Sequence, residues 1–253
     1  MRDNTVHVRV LSPLVTRGFR KLADLKALEY PGIRLSHAQI ATGPASIESE
    51  FEVAVSVPGT LLEILRAEND GVDAVILDCM GDPGLRASRE LSNILVIGPC
   101  QTGMHVASML GHKFSVITVM RRLIPSFENT AALCGLSTKL ASVRSVDIPV
   151  LDLEKDLTTT VDRLVEEGRK AVEHDGAHAL IFGCTGLMGC ASGLREGLLK
   201  KGIDVPVIDP VPTAVCVAAG LVRASLTQSR TTFPAPPEKE LLGFDDLRGA
   251  MSS

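Results

Sequence analysis

Residues 71–81 read Gly-Val-Asp-Ala-Val-Ile-Leu-Asp-Cys-Met-Gly, and residues 176–186 read Gly-Ala-His-Ala-Leu-Ile-Phe-Gly-Cys-Thr-Gly. At a constant offset of 105 residues the two stretches share glycine, alanine, isoleucine, cysteine and glycine. Each stretch is typical of a buried β-strand that ends in a turn carrying a cysteine, Cys79 in the first and Cys184 in the second. Self-similarity of this kind predicts two halves of the same fold.

The sequence around these two stretches repeats as well. Residues 93–99 match residues 204–210 at an offset of 111, and the end of the opening strand at Leu11-Ser12 matches Ile117-Thr118. Short apolar runs alternate with amphipathic stretches, which is the pattern of parallel sheets covered by helices. The pattern predicts eight strands: Val6–Leu11, Ile33–Ile40, Ala74–Leu77, Leu95–Ile97, Phe114–Val119, Ala141–Val146, Ala179–Phe182 and Val205–Ile208.

Amphipathic stretches between the strands predict helices. Three of them end just before a glycine, at Gly71, Gly135 or Gly176. Each glycine is a plausible C-cap, since glycine readily adopts the left-handed conformation that ends a helix. The predicted helices are Thr16–Glu29, Pro58–Asp70, Pro125–Cys134 and Leu157–His174.

These elements predict an α/β fold of two similar lobes, each a four-stranded parallel sheet flanked by helices. Ligands of such sheets bind outside the carboxyl ends of the strands, so we expect the active site in the crevice between the lobes. Residues 1–98 together with 211–228 are assigned to the N-terminal lobe, and residues 99–210 to the second lobe. Residues 229–253 are assigned to a Pro-rich C-terminal extension.

Composition excludes several classes of protein. The 253 residues are 45% apolar and 22% charged, with a net charge of −4 and 3% aromatic residues, which disfavours disorder and nucleic-acid binding. No apolar run is long enough to span a membrane, and the N-terminus lacks an apolar signal core, so we expect a cytoplasmic protein with no membrane partner. The six cysteines form no CxxC pair, which indicates neither a disulfide framework nor a zinc site.

The cysteine pair suggests proton transfer at carbon. A thiol between a strand and a helix N-terminus meets backbone N–H groups that favour the thiolate, and after Cys79 we expect Asp82 as the N-cap and Pro83 as the first helical residue. Two such thiols across a crevice can remove a proton from one face of a carbon and return one to the other face. The glycines at 81, 183 and 186 would let backbone amides approach the substrate.

Other interpretations remain open at this point. A cysteine is often a small core residue, and Cys100, Cys134, Cys190 and Cys216 need no other explanation; the pair itself could be a redox pair. The glycine spacing of 98–103 is that of a phosphate loop, but methionine follows where the lysine must be. His174 and His178 have the spacing of metal ligands on a helix, but Gly176 interrupts that helix.

The chain resembles the aspartate/glutamate/hydantoin racemase superfamily, and within it the hydantoin and allantoin racemase branch. The resemblance extends from residue 6 to about 223 and rests on residues 43–49, 56–59, 79–85, 110–118, 148–152 and 183–186. It implies two lobes related by a pseudo-twofold axis, a small-molecule substrate, no cofactor or metal, and a homo-oligomer. It also implies that Cys79 and Cys184 are the two catalytic bases. Residues assigned to substrate binding are Ser12, Pro13, Ser46, Met80, Gly81, Gln101, Thr118, Gly183, Thr185 and Gly186.

The chain also departs from the branch. Where relatives usually carry Asn-Pro-Asn-Thr after the first strand, residues 12–16 read Ser-Pro-Leu-Val-Thr, so two amides of the substrate crevice are replaced. Gln101 stands where relatives commonly carry an acidic residue, and Val119 replaces a frequent hydroxyl. Loss of buried hydrogen-bond partners changes which polar ligand fits, so these departures affect the substrate more than the reaction type.

The first hypothesis is therefore a cofactor-independent racemase or epimerase of a cyclic ureide, such as a 5-substituted hydantoin or allantoin. A related cysteine-dependent lyase or isomerase, of decarboxylase or maleate isomerase type, and an Asp/Glu type amino-acid racemase are the alternatives. Within the family that the chain resembles, the arylmalonate decarboxylases keep only the second of the two cysteines. The presence of both cysteines in this chain therefore favours racemisation. A non-catalytic binding module would use both thiols only for packing.

Overall fold

The computed structural model describes residues 5–251, and within them the chain forms two four-stranded parallel sheets, as predicted. The first sheet has the order β2-β1-β3-β4 and the second β6-β5-β7-β8, so both halves share one topology. Residues 1–4 and 252–253 of the predicted domains lie outside the described residues. The strands are β1 Val6–Ser12, β2 Ile33–Gln39, β3 Ala74–Leu77, β4 Leu95–Ile97, β5 Phe114–Thr118, β6 Leu140–Ser145, β7 Ala179–Phe182 and β8 Val207–Ile208.

Helices connect the strands and cover both sheets. Short 3-10 turns span Arg121–Leu123, Val150–Asp152 and Thr185–Leu187. Along residues 5–251 we find no helix with the length and apolar character needed to cross a membrane. The helices are α1 Leu22–Lys26, α2 Glu50–Asn69, α3 Leu85–Leu91, α4 Pro99–Leu110, α5 Ile124–Leu133, α6 Leu157–Glu173, α7 Ala191–Leu199, α8 Pro210–Arg223 and α9 Asp245–Met251.

Two helix starts differ from the prediction. The helix predicted over residues 16–29 is confined to the five residues of α1, and residues 16–21 are irregular. The helix predicted to start at Pro58 starts at Glu50, because Ser49 accepts the N–H of Glu52 at 3.3 Å and caps α2 there. Pro58 lies inside α2, so a proline that was interpreted as a helix start is an interior residue.

The turn after β3 also differs from the prediction. Asp82 has a φ of 43° and is not the N-cap of α3, a position that Gly84 occupies. The Asp82 carboxylate instead accepts the N–H groups of Cys100 and Gln101 at 3.0 and 2.9 Å, so it caps the start of α4. Burial raises the pKa of Asp82 to about 7.

Strand β8 is shorter than predicted, because it begins at Val207 and not at Val205. Pro206 has no N–H to give to a strand ladder, although its carbonyl accepts the N–H of Leu180 at 2.9 Å. The glycines predicted to close helices at 71, 135 and 176 have φ angles of 69°, 71° and 75°, which confirms that part of the prediction.

Each sheet is covered on one side by a helix that follows the last strand of the other sheet. Helix α4 follows β4 but packs on the second sheet, and α8 follows β8 but packs on the first. The two helices also contact each other, so both connections between the lobes are short and buried. The division after residues 98 and 210 places these helices in the lobes on which they pack, and it stays a prediction.

The C-terminal segment lies against the first lobe. Gln228 donates to the carbonyl groups of Ser92 and Ile94 at 3.1 and 2.6 Å and accepts the N–H of Val96 at 3.3 Å. Phe233 is 9% exposed and lies beneath the guanidinium of Arg89. Residues 228–233 are therefore bound to the edge of the first sheet, and α9 packs on α2.

Substitution of two helical glycines should test the packing of α6 on α7. A Cβ at Gly197 would overlap Cγ2 of Val165, whereas a Cβ at the exposed Gly220 would meet open space. We expect Gly197→Ala to lower the free energy of unfolding by about 1–3 kcal/mol through overpacking. Gly220→Ala should raise it by about 0.5–1 kcal/mol, since alanine restricts the unfolded chain. Urea denaturation measures both, and equal effects of the two substitutions would contradict the packing described.

Candidate active site

The two cysteines occupy equivalent turns of the two lobes. In the first sheet Leu77 pairs with Leu11, and in the second Phe182 pairs with Ile117, so Cys79 and Cys184 each follow two residues after a paired strand end. One backbone N–H in the described chain donates to each sulfur, from the residue two positions further on. Gly81 donates to Cys79 Sγ at 3.4 Å, and Gly186 donates to Cys184 Sγ at 3.3 Å.

Both thiols line one cavity of about 380 Å³. The turns of the two cysteines form its floor, and of the predicted substrate-binding residues Met80, Gly81, Gly183 and Thr185 line it. A cavity of this volume accommodates a small organic molecule. Its walls are mainly apolar and include Leu14, Phe19, Ile47, Val53, Phe127 and Val150. Polar residues at the start of α2 and along α5 complete it: Ser49, Glu50, Ser126, Asn129 and Thr130.

Gly183 has no room for a side chain. A Cβ at this position would lie 2.8 Å from both Cα and Cβ of Thr118 on the neighbouring strand β5. The Thr118 hydroxyl itself is buried and lies 3.5 Å from the Gly183 carbonyl. The close approach of the two backbones therefore brings the Cys184 turn against the end of β5.

Other predicted binding residues lie behind or beside the cavity. Ser12 is buried, donates to Asp78 Oδ2 at 3.0 Å and lies 3.0 Å from His37 Nε2, so it supports the turn before Cys79. Gln101 accepts from Arg89 at 3.0 Å at the start of α4. Pro13 and Ser46 do not line the cavity, although the next residue of each, Leu14 and Ile47, does; Gly186 lines a neighbouring cavity. Direct substrate contact by these residues stays a prediction.

Sequence reasoning missed the ion pair between Arg20 and Asp78. The guanidinium donates from Nε to Oδ2 at 2.9 Å and from Nη2 to Oδ1 at 2.7 Å, with side-chain exposures of 4% and 0%. Asp78 lines the cavity next to Cys79, and its counterpart in the second half of the repeat is Gly183. One sequence signal could have revealed this ion pair: the first copy of the repeat carries the charged Asp78 at its strand end, where the second copy carries Gly183.

Burial weakens the acidity of both thiols. It raises the pKa of Cys184 to about 12 and that of Cys79 well above its ordinary range. The N–H groups of Gly81 and Gly186 lower the pKa of their respective thiols without offsetting burial. The expected helix N-terminus is not adjacent to Cys79, since α3 begins six residues later. Burial therefore outweighs the backbone donors, which favour the thiolate as expected, and disfavours the thiolate at both positions.

Among residues 5–251, no cluster of three or more His, Cys, Asp or Glu side chains could hold a metal ion.

Alkylation should report the state of the thiols. At pH 7, iodoacetamide should modify the exposed Cys216 before Cys79 or Cys184, because the latter two are largely shielded and protonated. Since their pKa values lie above 9, the thiolate fraction and the labelling rate should rise about tenfold for each pH unit between 7 and 9. Peptide mass spectrometry measures the rates, and a pH-independent, rapid reaction of either thiol would contradict the assigned protonation.

The chain is similar to named racemases over most of its length. Residues 15–218 match the family model Asp/Glu/Hydantoin racemase. A hydantoin racemase of Pseudomonas sp. (strain NS671) is 35% identical over 244 residues, which is 93% of this chain and 94% of the relative. A hydantoin racemase of Rhizobium meliloti is 36% identical over 234 residues, 92% of this chain and 95% of the relative.

Among solved structures, an allantoin racemase from Klebsiella pneumoniae is similar with a TM-score of 0.89 at 30% identity. The match covers 96% of this chain and 99% of that one. The extent of these similarities, together with the two equivalent cysteine turns, shows that the chain belongs to the Asp/Glu/Hydantoin racemase family and is an isomerase of the racemase type.

Proposed function

We propose that the chain racemises a 5-substituted hydantoin without a cofactor, with Cys79 and Cys184 as the two bases. The observation that carries the proposal is the placement of two thiols from equivalent turns on one cavity of about 380 Å³. A lyase needs one proton donor, whereas inversion of a stereocentre needs a group on each face. The equivalence of the two turns therefore favours racemisation over the lyase alternative.

The reaction proceeds by exchange of a proton at C5 of the hydantoin ring. The thiolate of one cysteine removes the C5 proton, and the electron pair passes into the neighbouring carbonyl to give an enolate. The thiol of the other cysteine then donates its proton to the opposite face of C5. One thiolate and one thiol are present before and after, with their positions exchanged, so the protons balance.

The high pKa of the thiols has two opposing effects. Few molecules carry a thiolate at neutral pH, but a thiolate of high pKa is a strong base toward a weakly acidic C–H group. Burial is the main cause of the raised pKa at both thiols, and the charge of Asp78 raises both values further, at Cys184 by more than Arg20 lowers it.

The apolar walls indicate the kind of C5 substituent. Leu14 lies where relatives usually carry an amide, and Phe19 and Phe127 extend the apolar surface. An alkyl or aryl substituent can be buried there, whereas the ureido group of allantoin would lose hydrogen bonds to water without replacement. We therefore infer a hydantoin with an apolar substituent, within the ureide class suggested by the hydantoin and allantoin racemases above.

Racemisation in deuterium oxide should separate the roles of the two thiols. With each enantiomer of 5-benzylhydantoin, wild type should incorporate deuterium at C5 as it inverts. Cys79→Ser and Cys184→Ser should each lower inversion by about 10²–10⁴-fold, because serine is a far weaker acid than a thiol. Each variant should still exchange the proton of one enantiomer, a different one in each case, through the remaining cysteine. Polarimetry and proton NMR measure both processes.

Cys190→Ser is the matched control, since Cys190 is buried like Cys184 but does not line the cavity. It should racemise at the wild-type rate. Inversion by both active-site variants at the wild-type rate would exclude the two-base mechanism.

Substrate preference should follow the apolar walls. We expect kcat/KM for 5-benzylhydantoin to exceed that for allantoin by about tenfold or more, because unpaired ureido groups would be buried. Leu14→Asn returns an amide to the cavity and should shift the ratio of the two values toward allantoin by about tenfold. Steady-state polarimetry with both substrates checks this. A preference of wild type for allantoin would contradict the inferred substituent.

A further inference from the structure

Arg20 lies between the turns that carry the two thiols. Its guanidinium forms the paired contacts with Asp78, and Nη2 also donates to the carbonyl of Thr185 at 2.9 Å. Nη1 lies 3.2 Å from the sulfur of Met188. Asp78 immediately precedes Cys79 and Thr185 immediately follows Cys184. One buried side chain therefore contacts the residue before Cys79, through its carboxylate, and the residue after Cys184, through its carbonyl.

A second hydrogen bond joins the same two turns. The hydroxyl of Thr185 donates to the carbonyl of Asp78 at 3.0 Å. Thr185 thus receives a hydrogen bond from Arg20 through its carbonyl and gives one to Asp78 through its side chain. The two turns, which belong to different sheets, are joined directly and through the guanidinium.

We propose that Arg20 is a positioning residue that fixes the separation of the two cysteine sulfurs. The inference rests on the proposed function, because only a two-base reaction requires both sulfurs to reach one carbon at the same time. If the turns move apart, one thiol can still remove a proton from the carbon, but donation of a proton by the other thiol to the opposite face becomes slower. Misplacement of a catalytic group by a small distance is enough to reduce a rate strongly.

The geometry of the guanidinium is needed as well as its charge. Arginine offers two parallel N–H donors to a carboxylate and has a further N–H for a carbonyl, whereas a lysine ammonium is a single point charge on a flexible stem. Lysine at position 20 would keep a cation beside Asp78 but would not hold Asp78 and Thr185 in a fixed plane. Arg20→Lys therefore separates positioning from charge.

The second lobe supplies a matched control. Arg144 on β6 contacts Asp175 in the same two-pronged manner, from Nε at 2.6 Å and from Nη2 at 2.8 Å. Neither residue lines the cavity. Arg144→Lys makes the same chemical change in an ion pair of the same contact geometry, although this pair is more exposed, with side-chain exposures of 23% and 19%.

Amide hydrogen exchange tests the connection without a substrate. In wild type the Asp82 N–H donates to the Cys79 carbonyl at 3.1 Å, and the Met188 N–H donates to the Thr185 carbonyl at 3.2 Å. Arg20→Lys should accelerate exchange about tenfold or more in both turns, residues 79–82 and 184–188, because their shared anchor is loosened. Arg144→Lys should leave both turns unchanged. Wild-type exchange rates in both turns of Arg20→Lys would overturn the proposal.

Kinetics in deuterium oxide tests the consequence for the reaction. With 5-benzylhydantoin, Arg20→Lys should lower kcat for inversion by about tenfold or more, with a much smaller change in KM. The ratio of deuterium exchange without inversion to inversion should rise at least about threefold, a change that loss of stability alone would not cause. Arg144→Lys should keep the wild-type ratio. An unchanged ratio in Arg20→Lys would also overturn the proposal.

The two proposals can fail separately. If wild type does not racemise hydantoins, the proposed function fails, and the exchange rates of the two turns still show whether Arg20 joins them. If wild type racemises but Arg20→Lys matches Arg144→Lys in both experiments, the proposed function stands and Arg20 has no positioning role.

Discussion

The pairing of β3 with β1, repeated as the pairing of β7 with β5, is the constraint on which the rest of the molecule depends. All four residues of each inner strand, 74–77 and 179–182, are fully buried, so a shift in register would remove apolar side chains from both layers of helices. With the register fixed, both strands end at the same edge of their sheets. The residues that follow, Cys79 and Cys184, are then delivered to one cavity without any long loop to position them.

The two halves of the fold share their strand order but differ in the residues next to the two cysteines. At equivalent positions stand Asp78, which is bound by Arg20, and Gly183, where the backbone of Thr118 leaves no space for a Cβ. Each thiol therefore accepts a backbone N–H from the residue two positions further on, but the charges around the two thiols differ. The fold places two similar thiols on one cavity, and the charged side chains around each thiol distinguish one from the other.

The repeat made the strands and the cysteine turns predictable, because buried parallel strands are short and strongly apolar. The start of α2 was not predictable from Pro58, since Ser49 forms the cap earlier in the chain. Arg20 stood in a stretch with helical spacing, and only the packed structure shows that its charge is buried against a residue 58 positions away. Ser12 and Thr118 were located correctly at strand ends, but sequence does not reveal whether a hydroxyl faces a cavity or the protein behind it.

The unequal surroundings of Cys79 and Cys184 have a thermodynamic consequence for a racemase. Mirror-image substrates have equal free energies in water, so the equilibrium constant is one, and kcat/KM must be identical in the two directions however different the thiols are. A difference between the thiols can appear only in kcat and KM taken separately. The enantiomer with the lower KM must also have the lower kcat, in the same proportion. Any effect of the Asp78 charge on such a reaction must therefore leave the two values of kcat/KM equal to each other.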